Sequence, residues 1–280
     1  MANEFRSSLV CSSAPANPAL ETDKLFDRAY RESSDSPIDE FTSRVQLINT
    51  HCPHPDSFDH LQGQLILLGV VAAVESYIRT LFRRLIYCDP ISQEQVQHKD
   101  VSFGAAIHLP AELLPEAILE KISFVSKVRI SEAIRDLIGV KGAIPPELDL
   151  ALEDYERVCQ LRNCAVHRFG KLGSNNAIKL GLVQHSELLE KPLKLDYAAL
   201  QSSIAIATGL VKTMNNFLFN VVVSRLPNNS WSGNYNRDKN LFRPYYDLFA
   251  DRASYSKTPN VYIMYNSFMK QRSEYYANKR

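Results

Sequence analysis

Apolar and polar positions alternate along this chain mostly with a helical period. Residues 61–87 give the strongest pattern. They are apolar almost all round from Leu65 to Val74. They then become amphipathic, with Glu75, Arg79, Arg83 and Arg84 set among Tyr77, Ile78, Leu81, Phe82 and Leu85. Asp89-Pro90 ends the run, because the residue before a proline is pushed out of the helical region. A helix apolar on most sides needs neighbours on most sides, so the pattern predicts a helical bundle.

The other elements follow from start and stop signals. Ser36, Pro37 and Asp39 mark a helix start, and that helix runs to about Ile48. A Pro-containing loop follows from His51 to Pro55. Two helical patterns cover 111–120 and 122–138. Pro145-Pro146 open a long helix through Leu148, Leu152, Tyr155, Cys159 and Leu161 that stops near Gly170. Residues 176–183 read as a short strand or hairpin arm. Asp196 caps a last core helix over 197–223, rich in Leu, Ile, Ala and Phe. The expected organisation is a disordered 1–20, rich in Ser, Ala, Pro and Asn, a helical domain over 21–226 and an extension over 227–280.

Charge and composition change this picture mainly at the C-terminus. Net charge is +1 for the whole chain, but residues 225–280 carry ten Lys/Arg against four Asp/Glu, a local +6 that leaves −5 for the rest. Residues 231–276 also hold twelve of the 27 aromatic residues. Arg237, Lys239, Phe242, Arg243, Tyr245, Tyr246, Arg252 and Tyr255 mix cations with rings, a combination that suits single-stranded RNA. The competing reading, that the rings pack the tail onto the bundle or a second subunit, is the favoured one. No stretch approaches the ~18 apolar residues of a membrane span, and residues 1–19 lack the pattern of a secretion signal. Five cysteines without a CxxC pair suit a reducing cytoplasm.

The candidate chemistry lies in Arg162-Asn163-Cys164-Ala165-Val166-His167, followed by Arg168, Gly170, Lys171 and Gly173. A His titrating near neutrality can take or give protons, and an Arg can clamp a phosphate with its planar fork of donors. Five residues along a straight helix turn the direction by ~140°. Asn163 and His167, four apart, share a face. So Asn163 is expected to orient the His ring, while Arg162 reaches round or the helix ends early at the glycines. Arg168 and Lys171 add charge where a phosphate can rest. Two other groups carry weaker signals. His51, Cys52, His54 and His60 crowd one loop but match no zinc spacing. No GxxxxGK[ST] or GxGxxG motif is present. The expected chemistry therefore uses no metal and no cofactor.

The run Asp154-Tyr155-Glu156-Arg157-Val158-Cys159-Gln160-Leu161-Arg162-Asn163, then His167, a glycine-punctuated turn and a final amphipathic helix, resembles the catalytic helix of HEPN domains. The resemblance covers roughly residues 39–226. It implies an all-α bundle, a homodimer with two Arg/His pairs facing a shared groove, and metal-independent cleavage of RNA in antiviral defence or as a toxin. Arg162, His167 and Asn163 would be the catalytic set. Glu75 would support them from the earlier core helix, its competing role being a pair with Arg79 four residues on. An antitoxin or defence-system protein is an implied partner. An inactive HEPN bundle that binds RNA, a nucleotide or a partner protein is the alternative. Some toxin HEPN domains carry a modified Tyr two residues after the His; here that position is Phe169.

Overall fold

The computed structural model describes residues 7–279. The chain divides at Asp35 into two compact units. In the first, residues 7–20 hold no helix or strand, and a single 3-10 turn forms at Thr22–Leu25. The expectation of disorder over 1–20 lies partly outside the described residues.

The second unit is all-α. Its backbone elements are α1 (Pro37–Thr50), α2 (His60–Cys88), α3 (Pro90–Val96), α4 (Phe103–His108), α5 (Leu114–Leu119), α6 (Lys127–Asp136), α7 (Pro146–Arg168), α8 (Ser174–His185), α9 (Tyr197–Ser224), α10 (Tyr235–Phe249) and α11 (Val261–Ala277). Helices α1, α2, α7 and α9 pack on one another as the central bundle. Its interior is Phe41 from α1, Leu67, Val70, Val74, Ile78 and Leu81 from α2, Leu152 and Tyr155 from α7, and Leu210, Met214 and Leu218 from α9. The starts are fixed by local chemistry. Ser36, Asp59 and Asp196 each accept a hydrogen bond from the backbone N–H three residues on, at 3.2, 3.0 and 2.7 Å. Pro146 opens α7 at a position whose N–H would have no helical partner.

Contrary to the sequence expectation, α2 and α9 are both long and apolar enough, by length and composition, to cross a membrane, each holding an 18-residue stretch whose mean hydropathy is 1.8 and 1.2 respectively. They are the central helices of the bundle, and the core accounts for their composition, α2 being apolar because neighbours cover it on most sides.

The strand expected over 176–183 is also corrected. These residues lie inside α8, which is kinked at Gly181 (φ 105°). Extended pairing occurs beside them instead. Leu172 N–H donates to Lys191 O, Glu190 N–H to Leu172 O and Leu193 N–H to Gly170 O, at 2.8–3.0 Å. This antiparallel clasp joins 170–172 to 190–193 and closes the segment that carries α8 onto itself.

The C-terminal segment belongs to the same compact unit as the bundle. Its aromatic residues extend the core of the bundle: Phe242 and Phe249 pack on Phe219 of α9, Trp231 packs on Phe242 and Phe268, and Tyr265 packs on Phe242. Buried polar groups tie the segment down. Asp39 accepts Arg252 and Ala253 N–H at 2.6 and 2.8 Å. Asn215 donates to Phe249 O at 2.8 Å and accepts from Tyr77 Oη at 3.2 Å, joining α2, α9 and α10. Asp89, wholly buried, pairs with Arg225 and accepts Tyr245 Oη at 3.1 Å.

Candidate functional site

Helix α7 runs unbroken through the Arg/His string and ends at Arg168. The stop expected near Gly170 is found there, and of the two alternatives for Arg162 the helix ending before His167 does not occur. Phe169 takes the left-handed conformation itself (φ 50°, ψ 46°) and Gly170 follows at φ 88°. Phe169 N–H and Gly170 N–H both close on Cys164 O, the second at 3.0 Å, and this ends the helix. Arg162 and His167 therefore leave one regular helix ~140° apart.

The two side chains meet different surroundings. His167 is exposed in the last turn, between exposed Val166 and Arg168. Arg162 is partly buried, at i+3 from Cys159 and i+7 from Tyr155, on the face that turns into the bundle. Its Nη1 donates to Asn163 Oδ1 at 3.1 Å. Its Nε is buried without a hydrogen-bond partner. Asn163 thus places its carbonyl on Arg162, whereas the sequence reading had it orient His167.

Tyr155, Cys159 and Arg162 stand on one face of α7 at i, i+4 and i+7, and Glu75 of α2 and Arg162 both act electrostatically on Tyr155 and Cys159. Tyr155 is completely buried, and its hydroxyl faces the weakly bonding Cys159 thiol but makes no hydrogen bond of normal geometry. Burial pushes its phenol well above the ordinary value. Burial also raises the Cys159 thiol to about 12, against the lowering effect of Tyr155 and Arg162. Cys159 stays protonated at neutral pH and cannot serve as a nucleophile. The thiol of Cys164 is likewise raised by burial.

Glu75 does not pair with Arg79. Its Oε1 accepts Phe124 N–H at 3.4 Å. Arg79 turns to the 116–122 segment, donating to Leu119 O at 2.7 Å and Ile122 O at 2.8 Å and meeting Glu116 at 3.5 Å. Arg168 and Lys171, expected to receive RNA phosphate, both belong to the clasp region. Arg168 is ion-paired with Glu190. Lys171 is exposed, with its backbone bridged to Pro192.

No protein-family model matches this chain, and neither does any curated protein or solved structure. The functional reading therefore rests on the geometry and on the residue pattern.

The remaining sequence candidates disperse. His60 Nδ1 lies 2.8 Å from Leu195 O, and His54 caps its own turn through Asp56 N–H. Among the described residues no three His, Cys, Asp or Glu side chains are grouped to hold a metal ion. In the tail, Phe242, Tyr245 and Tyr246 are buried, and Arg243 and Arg252 pair with Asp247. Those rings pack into the core shared with the bundle and are not offered to bases, whereas Arg237, Lys239 and Tyr255 are exposed. Sequence reasoning missed Tyr155, because a tyrosine on an apolar helical face carries no signal that separates it from the core.

Proposed function

We propose that this chain is a HEPN-type, metal-independent endoribonuclease that acts as a homodimer in antiviral defence or as a toxin in the cytoplasm. The observation that carries the reading is the state of Arg162. A guanidinium held half inside the bundle, with Nη1 fixed by Asn163 and Nε unpaired, is a costly arrangement for a merely structural arginine. It is an economical one for an anion clamp at the end of a helix that also presents an exposed histidine.

In this reading His167 takes the proton from the ribose 2′-OH. The 2′-oxygen attacks the adjacent phosphorus, and the bond to the 5′-oxygen breaks. Arg162 holds the charge that grows on the phosphate oxygens. The leaving 5′-oxygen takes a proton from a second group, and the His167 of a second copy supplies it. Exposed apolar side chains surround the histidine and suit contact between copies. Val166 and Phe169 flank it, and α8 exposes Ile178, Leu182 and Val183 while burying only Ala177.

The test is cleavage of single-stranded RNA in excess EDTA. Products carry a 2′,3′-cyclic phosphate and a 5′-hydroxyl, and DNA, which lacks the attacking hydroxyl, stays intact. Loss of cleavage in EDTA overturns the mechanism. Binding of RNA with no cleavage under any condition favours the inactive HEPN bundle.

A further inference from the structure

Among the described residues only three buried side-chain polar atoms lack a hydrogen-bond partner: Tyr155 Oη, Arg162 Nε and Arg225 Nε. Two of the three, those of Tyr155 and Arg162, belong to one face of α7, seven residues apart. Buried hydroxyls and guanidinium nitrogens are normally satisfied, and each exception calls for a cause. The cause here is not poor packing, because Tyr155 is fully enclosed among the core side chains of α2, α7 and α9. A phenylalanine would fill the same space without burying an unpaired hydroxyl.

The two orphaned atoms are chemically complementary. Arg162 Nε–H can only donate, while Tyr155 Oη both accepts and donates. Glu75, an acceptor, acts on Tyr155 from the opposite helix, and its one hydrogen bond, from Phe124 N–H at 3.4 Å, is long. We propose that when a phosphate binds, the Tyr155 hydroxyl accepts Arg162 Nε–H and donates to the Glu75 carboxylate. Arg162 turns on its stem to make this bond and releases Asn163. Both Nη groups are then free to fork onto the phosphate, with their positive charge balanced through Tyr155 by Glu75. Tyr155 and Glu75 are positioning residues, acting only through Arg162. The proposal rests on the ribonuclease reading above and adds the device that sets the clamp.

A hydroxyl kept for this purpose leaves a distinct signature. Tyr155→Phe removes an unsatisfied buried group, so the thermal midpoint stays level or rises. The single-turnover cleavage rate nevertheless falls roughly tenfold to a hundredfold, the scale of a slightly misplaced catalytic group, with KM changed less than about twofold. Glu75→Gln, which keeps the acceptor but loses the charge, falls less. In an Arg162→Lys background, which has no Nε–H fork, Tyr155→Phe costs nothing further.

The experiment measures thermal midpoint and single-turnover cleavage for the wild type, these single variants and the Tyr155→Phe/Arg162→Lys double variant. Tyr155→Phe cleaving like the wild type overturns the positioning role and leaves the ribonuclease reading intact. A lowered thermal midpoint in Tyr155→Phe makes the hydroxyl structural and overturns it also. An equal loss in the lysine background separates Tyr155 from Arg162 and does the same. Wild-type protein that leaves RNA whole overturns both readings together.

Discussion

Asn163 shares a helix face with His167, yet its carbonyl oxygen lies 3.1 Å from Arg162 Nη1. The relationship sorts the three residues of the string into two groups. Arg162 and Asn163 are coupled and turned toward the bundle, while His167 stands apart in solvent. Loss of either group therefore leaves different signs.

His167→Ala is expected to lower the cleavage rate roughly a hundredfold or more, the usual scale for a lost general acid or base, with no change in unfolding midpoint. Arg162→Ala costs a similar factor in rate. It also removes a half-buried charge with an unpaired nitrogen, so its stability is equal to or above that of the wild type. Kinetics with parallel chemical denaturation check both.

Phe169 holds a left-handed backbone that favours glycine, and its ring is exposed. Phe169→Gly is expected to stabilise the fold by about 0.5–1 kcal/mol, because the cap no longer strains a side chain. The same change removes apolar area beside His167. Light scattering across micromolar concentrations should show weaker dimerisation together with a raised unfolding midpoint.

Asp89 and Arg225 form a buried pair that joins the ends of α2 and α9, with Tyr245 of α10 bonded to the same carboxylate. Arg225 also donates to Ser92 Oγ at 3.0 Å and Ile138 O at 2.6 Å. Asp89→Ala leaves a buried guanidinium uncompensated and is expected to cost about 3–5 kcal/mol in urea unfolding. Tyr245→Phe costs less, about 1 kcal/mol, because only one neutral donor is lost.

Asp238 clamps α10 to α11, accepting Tyr265 Oη at 2.6 Å, Ser232 Oγ at 2.7 Å and the N–H groups of Ser232 and Gly233. Burial raises its pKa, but these donors outweigh burial and hold it below the ordinary 3.8. A carboxylate with a depressed folded pKa stabilises the fold fully above its unfolded value. That contribution is lost as pH falls from about 4 through the folded pKa. Unfolding midpoints measured from pH 5 down to 2 should drop more steeply in the wild type than in Asp238→Asn, which lacks the titrating group.

The parts of the fold legible in the sequence are those with chemical punctuation. Ser36-Pro37, Asp89-Pro90, Pro145-Pro146 and Asp196 act within a few residues of themselves, and the helices they bound begin and end close to where those signals stand. Helix α8 was not legible. Its residues alternate like a strand, and only long-range pairing of Leu172 with Glu190 and Lys191 shows where the extended backbone goes. The helices of the tail were hidden by Pro244 inside α10 and by rings that bury against one another. At the site, Arg162 and His167 were legible as residue types. Their divergence followed from the ~140° that five residues of helix impose, but that Phe169, one residue before Gly170, would open the left-handed turn was not legible.

The antiparallel clasp between 170–172 and 190–193 has a consequence for change over time. It brings the two ends of the α8 segment together, and the start of α8 is held on α7 by Asn176, whose amide donates to Gln160 O and Oε1 at 3.4 and 3.0 Å. Alterations in α8 beyond Asn176 and Ala177, where its side chains are largely exposed, are then transmitted weakly to the register of α7 and α9. The surface next to His167 is free to diversify in length and sequence while the helix that carries the histidine keeps its place.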